Sequence, residues 1–68
     1  MLAYQERVVE ELTALTAKRE KLGAFFGQEA FVELPADERM RMHRQFNIMV
    51  AYEDVLKERI KNFPKGEV

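Results

Sequence analysis

The feature that most constrains this chain is a spacing that occurs twice. Val8, Leu12, Leu15, Leu22 and Phe26 recur at alternating intervals of four and three residues, and so do Met42, Phe46, Met49, Leu56, Ile60 and Phe63. Each row skips one position, filled by Arg19 in the first and Glu53 in the second. A 4-3 row winds into a narrow stripe along an α-helix, the pattern by which two helices bury a shared seam. Gly23, Gly27 and Pro35 punctuate the chain between the rows, and Pro64 and Gly66 follow the second. The chain therefore reads as all-α: a single domain of 68 residues folded as an antiparallel two-helix hairpin with a short connecting helical turn.

The expected first helix covers about residues 3–26, with Gly27 supplying the left-handed residue that ends many helices. Gly23 lies inside its last turn and costs about 1 kcal/mol relative to Ala, so a packing reason is expected for it. Residues 28–34 form the connecting turn, with Phe31 and Leu34 closing the hairpin's end. Pro35 opens a second helix over about residues 35–62, and Asp37 and Glu38 in its first turn complement the positive end of the helix dipole. A short tail, 63–68, begins beside Pro64. With a short connection and seams of equal length, Leu22 should face Phe46 and Leu12 should face Leu56.

The second helix carries more apolar surface than one partner covers. Ile48, Tyr52 and Val55 make another 4-3 row beside the first. A chain this short with no Cys has neither disulfide nor thiolate-metal staple, so burial of that row against further copies, a homo-oligomer, is expected.

Composition removes several functions. Eleven Lys plus Arg against twelve Asp plus Glu leave a net charge of −1, which argues against gripping a DNA or RNA polymer over many phosphates. No apolar run approaches the roughly 18 to 20 residues of a membrane span, and the N-terminus lacks a signal peptide's order, so a soluble intracellular protein with no membrane partner is expected. There is no Ser, no Cys and one His, which excludes a nucleophilic triad; no enzyme activity, cofactor or metal is expected. His43 sits among Arg39, Arg41 and Arg44 and reads as a solvated or interface histidine. The three arginines spread over different helix faces as surface charge, and Glu53, Asp54 and Glu58 read as a polar face.

One pairing stands apart. Tyr4 lies near the N-terminus, and Lys18, Arg19 and Lys21 cluster four turns later. Fourteen residues of helix span about 21 Å, so Tyr4 and Lys18 can share a ligand only if a second copy runs antiparallel alongside. An aromatic plate beside an ammonium suits a nucleobase and its phosphate; the plainer reading is a rim tyrosine and a solvated lysine.

The order of several segments resembles a known family. They are Tyr4-Gln5-Glu6-Arg7-Val8, the run from Lys18 through Gly23 to Phe26, the run from Phe31 through Pro35 to Arg39, and Gln45, Met49, Tyr52, Leu56, Glu58, Arg59 and Ile60. Together they resemble the small phage-encoded anti-CBASS sponge proteins, grouped with crAssphage-related short proteins. The resemblance implies a helical homohexamer in the cytoplasm of the infected bacterial host. It implies binding of cyclic dinucleotides between paired protomers, with release unchanged, and separate pockets for cyclic trinucleotides in some members. Tyr4 matches a tyrosine that stacks on a base and Lys18 a lysine at the dinucleotide pocket; a shift of one residue puts Arg19 there instead. Arg59 matches an arginine associated with the trinucleotide pocket, and its alternative is an ion-pair partner of a nearby acid such as Asp54. The competing reading of the whole chain is a coiled-coil adaptor that binds a foreign helix and no nucleotide.

Overall fold

The computed structural model describes residues 1–64, and the rest of the expected tail, 65–68, lies outside the described residues. Three helices follow in order: α1 (Ala3–Phe25), α2 (Glu29–Val32) and α3 (Ala36–Lys61). Helices α1 and α3 pack against each other along their length as an antiparallel hairpin, and α2 is the turn between them.

Each helix starts and stops for a local reason. At the head of α1, the Gln5 side chain reaches back and its Oε1 accepts the Leu2 backbone N–H at 2.9 Å, which satisfies a donor that no helix turn can. Pro35 is the residue just before α3, one position earlier than a first helical residue, and its carbonyl accepts the Arg39 N–H at 3.0 Å. Asn62 closes α3 by donating from Nδ2 to the Glu58 carbonyl at 2.8 Å.

The end of α1 corrects the expectation for Gly27. It does not adopt a left-handed backbone. The chain instead winds on in tighter turns, with Phe26, Gly27 and Gln28 N–H groups bonding to Gly23, Ala24 and Phe25 carbonyls at 3.3, 3.3 and 3.0 Å. Gly23 has the packing reason that its position demanded. The Phe46 ring lies so close that a β-carbon there would sit 3.1 Å from Cε2. Phe46 thus packs one residue on from Leu22, close to the expected register.

The seam is thin. Val8, Leu15 and Leu56 are its buried centre, with Leu12, Met49, Ile60 and Phe63 packed around them. Phe31 of α2 is also buried and meets Phe25, Phe26 and His43 edge-on, while His43 stacks flat on Phe26 at 4.3 Å. This aromatic group plugs the turn end of the hairpin, with Leu34 half-buried beside it. The molecule measures 52 × 14 × 14 Å, and its radius of gyration of 15.8 Å exceeds the about 11 Å of a compact chain of this length. A rod two helices thick has little interior. Ile48, Tyr52 and Val55 accordingly stand exposed, as the second apolar row implied. Among the described residues, no helix is long and apolar enough to cross a membrane.

Candidate ligand-binding flank

Seam geometry decides which outer residues share a side. At about 100° per residue, Tyr4 and Lys18 fall on the same flank of α1, just off the seam, with Glu11 between them. On α3, Gln45, Tyr52 and Arg59 flank the seam on one side, and Ile48 and Val55 lie one step further round. In an antiparallel pair these two flanks face the same way. Tyr4, Lys18, Tyr52 and Arg59 therefore occupy one side of the rod, next to the exposed Ile48–Val55 surface, and all four are exposed. Lys18 stands nearly level with Tyr52.

Tyr4 is the most constrained of the four. Its ring meets Phe63 edge-on at 5.8 Å, which fixes the ring at the open end of the hairpin while 41% of the residue stays accessible. Tyr4 and Lys18 remain about 21 Å apart within the chain. Arg59 forms no ion pair among the described residues, so the partnership with a nearby acid such as Asp54 is absent there.

Arg19 is placed differently. Its guanidinium turns into the seam and pairs through Nε with Glu53, which is 3% exposed and also accepts the Thr16 hydroxyl at 2.6 Å. The reading of Glu53 as part of a solvated polar face is thereby corrected; Asp54 and Glu58 are exposed. The Thr16 hydroxyl and then Arg19 hold the Glu53 carboxyl below its ordinary value of 4.5, against the opposing effect of burial. With Arg19 committed inside the protomer, Lys18 and Lys21 are the cations that this part of α1 presents outward, and Lys18 is the one on the flank of Tyr4.

Thr16 carries no signal in the sequence, because its bond to Glu53 needs the α1–α3 register. Gln5 is buried, and its position one 4-3 step before Val8 was a usable signal. Among the described residues, a shallow cleft of about 270 Å³ lies between Arg41, Arg44, Gln45, Ile48 and Met49. That falls short of the about 300–1,000 Å³ of ordinary small-molecule sites.

The Sequestin family profile matches residues 2–62. A relative in enterobacteria phage T4, an uncharacterised 7.5 kDa protein from the denB–rIIB intergenic region, is 38% identical over 63 residues, covering 93% of this chain and 98% of its own length. The chain belongs to the Sequestin family. No solved structure matches it at a significant level. The match takes in α1, α2, α3 and all four flank residues, and the kinship with a small phage protein agrees with the phage character implied by the resemblance.

Proposed function

We propose that this Sequestin protein binds and sequesters cyclic oligonucleotide second messengers, cyclic dinucleotides and in addition cyclic trinucleotides, without cleaving them. In this reading it works as a homo-oligomer, a hexamer, in the cytoplasm of the infected bacterium, and withholds the messenger from CBASS-type signalling. The observation that carries the reading is the shared flank. Tyr4, Lys18 and Arg59 border the exposed Ile48, Tyr52 and Val55 row, so a copy docked on that row lies against the residues that would hold the ligand. Two copies running antiparallel there would set Tyr4 of one beside Lys18 of the other, an aromatic face for a base next to an ammonium for its phosphate.

Surface area supports association. The chain exposes 5284 Å², against about 4,450 Å² for a compact monomer of its mass. The excess is similar to the roughly 800 Å² that one partner contributes to a standard interface. The family's name, which denotes sequestering, fits binding rather than turnover.

The test is calorimetric titration with a panel of cyclic di- and trinucleotides, followed by heating and chromatography of the released ligand. Saturable binding with intact recovery is expected. Recovery of cleaved ligand would make the protein an enzyme. No binding of any member would return the exposed row to the adaptor reading, in which it receives a foreign helix.

A further inference from the structure

A plain 4-3 seam is permissive. Sliding one helix of the hairpin past the other by seven residues, about 10 Å, again sets apolar positions against apolar positions. When copies associate, the same pattern lets α1 pair with another α1 and α3 with another α3. Apart from the Phe46 ring over Gly23 and the aromatic plug at the turn, the rods' apolar rows do not distinguish these arrangements from the observed one.

The two polar slots do. Arg19 and Glu53 meet in the seam, and Thr16 completes the carboxylate's partners from α1. A seven-residue slide in one direction carries the Glu53 carboxylate towards Val8 and Leu12, and in the other towards Leu22 and Phe26, while the Arg19 guanidinium is left against apolar side chains. A seam of α1 with α1 brings guanidinium towards guanidinium or strands both, and a seam of α3 with α3 does the same with carboxylates. We propose that Arg19, Glu53 and Thr16 form a pairing code that selects α1 with α3 in a single register, against slid hairpins and against like-with-like helix pairing between copies. Buried polar pairs in helical seams serve this purpose at a cost in stability. The code also has a consequence for the flank: a slid helix moves Lys18 off the level of Tyr52 and separates Tyr4 from Phe63.

The chain has no cysteine, so two introduced at Glu11 and Lys57, both exposed and nearly level, take nitroxide labels cleanly. Pulsed electron resonance on labelled chains diluted into unlabelled ones reads their separation within one protomer. A single narrow distance is expected for the parent sequence and for the reversed pair Arg19→Glu with Glu53→Arg. The apolar pair Arg19→Met with Glu53→Met should add longer distances, because a slide of about 10 Å along the axis, taken at right angles to the roughly 10 Å between helix axes, lengthens the spacing by about 4 Å, and an opened hairpin lengthens it further. A single parent-like distance in the double-Met chain would overturn the proposal. Should that chain not fold, the decision rests on the reversed pair: a narrow distance restored relative to Arg19→Glu alone supports the code, and failure to restore it refutes it.

Discussion

Leu56→Ala is the perturbation whose size the structure fixes best. Leu56 is 0% exposed and lies between Val8 and Leu15 of the opposite helix, so the three carbons removed come from the most enclosed point of the seam. Their transfer is worth about 2.4 kcal/mol at about 0.8 kcal/mol each. A residual cavity raises the loss to about 3–4 kcal/mol, because seam neighbours fixed by two helix backbones collapse only in part. A chain of this length has total stability of about 3–10 kcal/mol and an unfolding entropy that converts 1 kcal/mol into about 7 °C. The expected fall in Tm is therefore about 21–28 °C, measured by circular dichroism at fixed protein concentration, since any assembly makes Tm concentration-dependent. Val32→Ala, on α2 and 64% exposed, is the control and should move Tm by less than about 4 °C. A fall below about 7 °C for Leu56→Ala, or equal falls in both variants, would refute the claim that stability is concentrated in this seam.

Glu53 predicts acid sensitivity of known sign. Its folded carboxyl titrates below the ordinary 4.5, so the stabilisation is complete above about pH 5 and is lost as pH falls below that value. Between about pH 6 and pH 3 the parent should lose more Tm than Glu53→Gln, and parallel melting curves would show that other carboxylates govern the acid response. Tyr52→Glu puts a charge in the exposed apolar row; light scattering should show loss of any assembly, whereas an unchanged oligomer mass would move the interface elsewhere. Tyr4→Ala and Lys18→Ala should each weaken cyclic dinucleotide binding at least tenfold, through a stacking contact of roughly 1 to 3 kcal/mol and a charge-assisted contact of similar size. Arg59→Ala should spare dinucleotides while weakening any trinucleotide binding, and parent-like titrations for both Tyr4→Ala and Lys18→Ala would show the pocket to be misplaced.

The hairpin was legible in the sequence because the property that defines it is periodic. Val8 to Phe26 and Met42 to Phe63 set the helices and the faces they bury, and Pro35 with Asp37 and Glu38 set where α3 begins to within one residue. What was not legible depends on neighbours distant in sequence. Gly23 announced a need for space, but only the register shows that the Phe46 ring uses it. Arg19 and Glu53 were each recognisable as interruptions of an apolar row; that they interrupt it at the same level, so that one satisfies the other, follows only when the helices are laid side by side. Gly27 misled because a glycine after a helix permits a left-handed turn without requiring one, and here the chain winds on in tighter turns towards α2. Of the candidate site, the residues came from the sequence and their common flank from the antiparallel arrangement.

The aromatic plug at the turn also bears on the order in which the hairpin closes. Phe26 and His43 are near each other along the chain, so bringing them together closes a short loop, whereas Tyr4 and Phe63 meet only across nearly the whole sequence. Closure that starts at the plug and runs towards the termini spreads the entropic cost over successive small steps, and opening retraces the path from the other end. Amide exchange should then be slow from the plug through the seam around Leu15 and Leu56 and fastest at the end beside Tyr4; uniform exchange along both helices would contradict it. The aromatic ring proposed to hold a base thus stands where the zip closes last, so capture of a ligand there would also fasten the last teeth.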